Sequence, residues 1–113
     1  MSTIEEIDPA TANELVERGD ALLVDVRNDD EWAIGHAPAA VHLPLGDLHE
    51  RHPELPTDRR IVVICRSGAR SARATEALVG AGYDVVNLTG GMQAWAALGL
   101  PVVTETGDPG AVA

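Results

Sequence analysis

The sequence contains one cysteine, no lysine and no long run of apolar residues. A single cysteine excludes both a disulfide within the chain and a zinc site built from several thiolates. No stretch approaches the roughly 18 consecutive apolar residues of a membrane-spanning helix. The first residues, MSTIEEIDP, lack the basic segment and apolar run of a secretory signal. We therefore expect a cytoplasmic protein with no metal and no cofactor.

Positive charge is also scarce. The 113 residues carry 18 acidic and 8 basic side chains, every base is an arginine, and the net charge is −10. Nucleic acids and anionic membranes bind to clustered positive charge, so we expect neither as a partner. Arg66, Arg70 and Arg73 nevertheless lie within eight residues of one another, beside Cys65. Local positive charge therefore accompanies the one thiol.

The chain length suits one domain with its own hydrophobic core. We predict a single domain over residues 1–103 and a flexible tail over residues 104–113, which read TETGDPGAVA. The sequence shows no internal repeat, and we expect a monomer or a weak dimer.

Helical and strand patterns alternate along this domain. Continuous apolar runs predict buried strands over residues 21–24 and 61–64, and we predict a brief strand over residues 41–43 and a third clear strand over residues 85–88. Apolar residues at helical spacing predict helices over residues 9–19, 71–81 and 93–98. Asp8 and Pro9 suit the start of the first helix, and Gly82 suits the end of the second. Such alternation predicts an α/β fold, a parallel sheet with helices on both faces.

Polar clusters follow three of the predicted strands, at residues 25–27, 65–70 and 89–91. The carboxyl ends of parallel strands meet at one edge of the sheet, where such folds bind ligands. We therefore expect the three clusters to converge, with Cys65 in the middle one.

The residues after Cys65 are suited to stabilise a thiolate. A free thiol has a pKa of about 8.5 and is mostly protonated at neutral pH. Gly68 permits a turn whose amides face inward as a nest for an anion, just before a helix begins near Ser71. Charged and hydroxyl side chains lie in the same turn: Arg66, Ser67, Arg70 and Ser71. The pattern predicts a nucleophilic cysteine in an anion-binding cradle.

Other interpretations of these residues stay open. A lone cysteine after an apolar strand is commonly a small buried hydrophobic residue. Arg70 and Arg73 also fit the exposed face of a helix. The glycine, the arginines and the immediate helix start favour the reactive interpretation of Cys65.

Three motifs in this order resemble the rhodaneses, the thiosulfate sulfurtransferases. CRSGARS, at residues 65–71, resembles the active-site loop of the single-domain members. LVDVR at 23–27, with EW at 31–32 and GHAP at 35–38, resembles their first signature. GGMQAW at 90–95, with GLPV at 99–102, resembles their last. Ala39 stands where many members have glycine.

The resemblance implies a rhodanese-like fold with a five-stranded parallel sheet and a reaction through a Cys65 persulfide. Thiosulfate or another sulfane-sulfur donor would supply the sulfur. The acceptor would be cyanide in assays and a thiol or thioredoxin-like protein in the cell. The implied substrate-binding residues form the loop after the cysteine: Arg66, Ser67, Gly68, Ala69, Arg70 and Ser71.

The other motif residues are interpreted as structural neighbours of the site: Asp25, Arg27, Trp32, His36, Gly90 and Trp95. We expect Asp25 and Arg27 to hold the strand end through ion pairs and hydrogen bonds. We expect His36 to make structural hydrogen bonds, because no triad or metal partner lies near it in sequence.

Two other functions are considered. A rhodanese-like module can carry a persulfide for a partner protein or dock onto one without efficient turnover of thiosulfate. Dual-specificity phosphatases and arsenate reductases have similar folds, with five residues between their cysteine and arginine. Only four residues separate Cys65 from Arg70, which favours a smaller ring of amides around a sulfur atom over one around a phosphate.

Overall fold

The computed structural model describes residues 4–113, and five strands in them form one sheet. The strands are β1 (Glu6–Ile7), β2 (Ala21–Asp25), β3 (Val41–His42), β4 (Arg60–Ile64) and β5 (Val85–Leu88). The helices are α1 (Pro9–Glu17), α2 (Asp29–Ile34), α3 (Leu48–Arg51), α4 (Ala69–Gly80) and α5 (Gly91–Ala97). The strand order is β1-β5-β4-β2-β3, and every neighbouring pair is parallel. The predicted α/β architecture with a five-stranded parallel sheet is confirmed.

Each face of the sheet has its own hydrophobic core. Because side chains alternate along β4, Val63 packs on the face covered by α4, together with Leu78. Its neighbour Ile64 packs on the opposite face, together with Trp95 of α5. The central strands are therefore covered on both sides, as their continuous apolar sequences predict.

The first helix begins as the sequence predicts. Asp8 precedes α1, and its carboxylate accepts a hydrogen bond of 2.7 Å from the amide of Thr11. Pro9 occupies the first turn, where the missing amide hydrogen has no helical partner. Gly19, with a φ of 77°, follows the end of the helix.

The largest differences from the sequence-based prediction are one additional strand and two earlier helix starts; the other boundaries agree within two residues. The short edge strand β1 was not predicted, because two residues carry too little alternating pattern to be recognised. Helix α4 begins at Ala69, two residues earlier than predicted, because Gly68 turns the chain with a φ of 109°. Helix α5 begins at Gly91, also two residues early, after Gly90 turns with a φ of 80°.

Residues 102–113 fold back along the end of α2. Val103 forms an antiparallel bridge with His36, and Pro109 forms another with Val103. The amide of Ala111 donates to the carbonyl oxygen of Ile34 at 3.2 Å. The flexibility predicted for residues 104–113 concerns motion and stays a prediction.

No helix in residues 4–113 combines the length and the apolar character needed to cross a bilayer.

Candidate active site

Polar groups converge on the sulfur atom of Cys65, directly after β4. The amide of Gly68 donates a hydrogen bond of 3.1 Å to Sγ, and the hydroxyl oxygen of Ser71 lies 3.2 Å from it. The residue is only 1% exposed, and part of it packs in the hydrophobic core. The sulfur therefore lies on the floor of a polar cradle at the edge of the core.

The cradle lowers the pKa of the Cys65 thiol below its ordinary value. Burial raises this pKa, because it disfavours the charged thiolate. The hydroxyl of Ser71 and the amides of Ser71, Gly68 and Ser67 lower it by a larger amount. The environment thus favours the form of cysteine that acts as a nucleophile.

The start of α5 binds the backbone of the cradle through hydrogen bonds. The amide of Met92 donates to the carbonyl oxygen of Cys65 at 2.7 Å, and that of Gln93 donates to Arg66 at 3.0 Å. A Cβ atom at Gly91 would lie 2.7 Å from the main-chain oxygen of Arg66. The close approach of the two backbones therefore requires glycine at position 91. The polar clusters at residues 65–70 and 89–91 lie together, as the sequence predicts.

The polar cluster at residues 25–27 lies at the same edge of the sheet as Cys65. The amide of Val26, directly after β2, donates to the carbonyl oxygen of Ile64 at 3.0 Å. Asp25 and Arg27 flank Val26, and their side chains are fully buried. The Nη2 atom of Arg27 lies 2.8 Å from Asp25 and donates to the carbonyl oxygen of Gly35 at 2.7 Å. This pair holds the strand end against the loop after α2, the arrangement expected for Asp25 and Arg27.

Arg70 is bound to helix α2. Its Nη1 and Nη2 atoms donate to the two carboxylate oxygens of Glu31 at 2.6 and 2.8 Å. These hydrogen bonds hold the pKa of Glu31 at about 2, far below its usual range. Arg70 therefore lies beside the cradle as half of an ion pair, and direct binding of substrate by Arg70 stays a prediction.

Trp32 of α2 stacks with two histidine rings, and Trp95 of α5 lies in the core. Trp32 lies between His36 and His42, with ring centroids 3.6 and 4.7 Å away and interplanar angles of 2° and 6°. The Nδ1–H of His36 donates to the carbonyl oxygen of Trp32 at 2.9 Å. Trp95 is buried in the core and donates to the carbonyl oxygen of Pro101 at 2.9 Å. These four rings make structural contacts.

The other two arginines of the cradle region are exposed. Arg66 donates from Nε to the main-chain oxygen of Ala113 at 2.6 Å, and Arg73 lies on the exposed face of α4. Arg66 itself belongs to the turn that holds the thiol, and its exposed guanidinium bonds to the end of the described chain. Ser67 and Ala69 complete that turn and are also exposed.

Sequence reasoning assigned no role to Glu31 and did not recognise the close approach of Gly91. Glu31 has a local signal only for helix capping, since its carboxylate accepts from the amide of Asn28. Its partner Arg70 is 39 residues away, so no local pattern reveals the pair. In residues 4–113 no group of three or more His, Cys, Asp or Glu side chains is arranged to hold a metal ion.

Comparison with known proteins agrees with this geometry. The family model described as "Rhodanese-like domain" matches residues 8–98. The chain belongs to the rhodanese-like family. A relative named "Sulfurtransferase", from Allochromatium vinosum, is 44% identical over 106 residues, covering 92% of this chain and 99% of the relative.

Solved rhodanese structures are similar as well. A rhodanese-related protein from Thermoplasma volcanium has a TM-score of 0.84 and 34% identity, covering 89% of this chain and 99% of its own. A thiosulfate sulfurtransferase from Pseudomonas aeruginosa has a TM-score of 0.82 and 26% identity. That match covers 97% of this chain and 22% of the longer protein. The similarities support sulfur transfer of the rhodanese type.

Proposed function

We propose that this rhodanese moves the sulfane sulfur of thiosulfate to a thiophilic acceptor through a persulfide on Cys65. The observation that carries the proposal is the cradle around Sγ, with the Gly68 amide at 3.1 Å and the Ser71 hydroxyl at 3.2 Å. These donors stabilise negative charge on the thiolate before the reaction and on the persulfide after it.

The reaction has two half-reactions that share the persulfide. The Cys65 thiolate attacks the outer sulfur of thiosulfate, a new S–S bond forms, the S–S bond of thiosulfate breaks, and sulfite leaves with its electron pair. The acceptor, as cyanide or a thiolate, then attacks the terminal sulfur and regenerates the Cys65 thiolate. No net proton or electron enters either step.

The charge near the cradle supports an anionic donor. Arg66 is exposed next to the cysteine in a chain whose net charge is −10, so it provides a local attraction for a dianion. With one cysteine, the protein cannot release its persulfide sulfur by forming an internal disulfide. The proposal therefore includes an external thiol or thioredoxin-like acceptor, a cytoplasmic location where such thiols are reduced, and a monomer or weak dimer.

A thiosulfate-to-cyanide assay tests the proposal. We expect turnover by the wild type and its loss in Cys65→Ser, which keeps the size of the side chain and replaces the nucleophile. Ser67→Ala is the matched control, because it changes an exposed hydroxyl in the same turn and leaves the amide in place. Equal rates for the wild type and Cys65→Ser would contradict catalysis by this thiol.

A persulfide carrier is the second candidate, since the cradle suits storage of a persulfide as well as its turnover. The mass of the intact protein after treatment with thiosulfate distinguishes the two functions. Gain of one sulfur atom together with rapid turnover supports the enzyme. The same gain with slow release to cyanide supports the carrier, and no gain leaves docking onto a partner.

A further inference from the structure

Residues 102–113, here called the strap, form a small hairpin over the end of α2. The amide of Thr104 donates to the carbonyl oxygen of Asp108 at 2.9 Å, which closes the turn of the hairpin. The returning arm binds the first through the amide of Gly110, which donates to Val102 at 2.8 Å. Trp32 donates from Nε1 to the carboxylate of Glu105 at 3.1 Å. Backbone and side-chain contacts therefore attach the strap to α2.

The second arm of the hairpin, residues 109–112, packs closely against the end of α2. Gly110 faces Gly35, and a Cβ atom at Gly110 would lie 2.9 Å from the Cα atom of Gly35. Val112 packs against the core cluster on the α5 face of the sheet. These contacts fix the path of the strap up to the residue before Ala113.

The strap ends at the arginine of the cradle. The Nε atom of Arg66 donates to the main-chain oxygen of Ala113 at 2.6 Å. In residues 4–113 its Nη1 and Nη2 atoms have no hydrogen-bond partner. Arg70, in contrast, uses both of its Nη atoms for Glu31. Arg66 is therefore held by one nitrogen, and its other two nitrogens are available to bind a ligand.

We propose that the strap positions Arg66 to bind the sulfonate group of the donor, so that residues 102–113 form part of the donor site. An exposed arginine has many rotamers, and ordering it on binding reduces affinity. A side chain already held through Nε loses less freedom when its Nη atoms bind an anion. This inference rests on the proposed function, which supplies the anionic donor.

The proposal predicts an effect on one half-reaction only. The sulfonate is present in thiosulfate and leaves as sulfite, so Arg66 has no sulfonate to bind when the acceptor attacks. Displacing the strap should therefore weaken use of thiosulfate and leave the reaction of the persulfide with cyanide unchanged.

Gly110→Ala tests this without changing a cradle residue. The new Cβ meets backbone atoms of Gly35, Ile34 and Val103 at 2.9 to 3.0 Å, so the strap must move. Gly80→Ala is the matched control, since a Cβ there meets nothing within 4 Å. We expect Gly110→Ala to raise KM for thiosulfate about three- to tenfold, with kcat and KM for cyanide within twofold of wild type. An unchanged or lower KM for thiosulfate overturns the proposal, provided that hydrogen exchange at Ala111 shows the strap displaced.

A double-mutant cycle tests whether the effect passes through Arg66. In an Arg66→Ala background, Gly110→Ala should cause no further rise in KM, because the side chain it disorders is gone. A full, additive rise in the double variant would show that the strap acts by another route. Glu105→Ala, which removes the acceptor for Trp32, provides a second way to loosen the strap if Gly110→Ala folds poorly.

Alkylation of Cys65 separates failure of this inference from failure of the proposed function, because it needs no sulfur transfer. Iodoacetate carries the negative charge that Arg66 would attract, and iodoacetamide does not. We expect Gly110→Ala to lower the ratio of the iodoacetate rate to the iodoacetamide rate by about threefold, even if thiosulfate is not turned over. An unchanged ratio overturns the role of the strap, whatever the sulfur donor is.

Discussion

The hydroxyl of Ser71 has one hydrogen and two neighbouring acceptors, the Sγ atom of Cys65 and the main-chain oxygen of Gly68. When Cys65 is a thiol, its S–H donates to Ser71, and Ser71 donates to Gly68. When Cys65 is ionised, the charged sulfur is the stronger acceptor, and the Ser71 hydrogen is available to turn toward it. Ser71 therefore stabilises the thiolate more than the thiol, in agreement with the lowered pKa of Cys65.

Ser71→Ala should raise the pKa of Cys65 by about one to two units, because a hydrogen bond to a charged group contributes about 1.5–3 kcal/mol and one pKa unit is about 1.4 kcal/mol. The loop amides remain in the variant, so part of the lowering persists. The rate of alkylation by iodoacetamide as a function of pH gives the thiol pKa. Ser67→Ala should leave the midpoint in place, and an unchanged midpoint in Ser71→Ala would exclude the hydroxyl as a cause.

At the scale of elements, the ion pair of Glu31 and Arg70 joins α2 to α4 beside the cradle. Both side chains are partly buried, with exposed fractions of 15% for Glu31 and 31% for Arg70. The two parallel hydrogen bonds fix their relative orientation, which a single contact would not. The pair therefore links the helix that carries Trp32 to the helix that follows the Cys65 turn.

Glu31→Gln should lower the free energy of unfolding by about 1 kcal/mol at neutral pH, since the pair is partly buried but still reaches solvent. The folded pKa of about 2 lies below the ordinary 4.5, so the pair stabilises the fold above pH 4.5. That stabilisation is lost as the pH falls from 4.5 toward about 2. Urea unfolding at about pH 7 and about pH 3 measures the free energy of unfolding of both proteins. The difference between wild type and Glu31→Gln should be smaller at about pH 3 than at about pH 7.

Glu54→Gln is the control for this prediction. Glu54 also pairs with an arginine, Arg51, but its side chain is 61% exposed. Removing that pair should change stability too little to measure at either pH. If wild type and Glu31→Gln differ in free energy of unfolding by the same amount at both pH values, the carboxylate charge of Glu31 contributes nothing to stability.

The approach of α5 to the cradle gives a second prediction at this scale. Gly91→Ala should lower stability and kcat/KM, because its Cβ cannot fit 2.7 Å from the main-chain oxygen of Arg66. Gly99→Ala separates steric contact from backbone strain, since Gly99 also has a positive φ, 83°, but its Cβ would meet nothing within 4 Å. Both variants should lose about 1 kcal/mol to strain. Only Gly91→Ala should lose activity, and equal activities would show that the cradle tolerates displacement of α5.

At the scale of the whole molecule, short sequence patterns predicted those features of the fold that depend on neighbouring residues. The buried strands, the capped start of α1 and the glycine turn after Cys65 each follow from a few neighbouring residues. Contacts between distant residues gave no such signal, as with Arg70 and its partner in α2. The sequence of residues 104–113 predicts no regular structure. Backbone hydrogen bonds hold this part of the strap, and such bonds leave little pattern in the side chains.

The net charge of −10 also acts on the whole molecule, through repulsion among surface carboxylates. The Debye length is about 30 Å at 0.01 M salt and about 10 Å at 0.1 M. The radius of gyration is 12.8 Å, so at low salt the repulsion acts across the entire protein and at moderate salt it does not. Exposed ion pairs such as Arg60 with Glu5, at 3.2 Å, are shorter than either screening length.

Raising sodium chloride from about 0.01 to 0.2 M at neutral pH should therefore raise Tm, because long-range repulsion is screened before short ion pairs are. Thermal unfolding followed by circular dichroism measures the change. Potassium chloride at equal ionic strength should give the same rise, which distinguishes screening from binding of a particular cation. A fall in Tm would mean that the exposed pairs, such as Arg60 with Glu5 and Asp84, stabilise the fold more than the excess of carboxylates destabilises it.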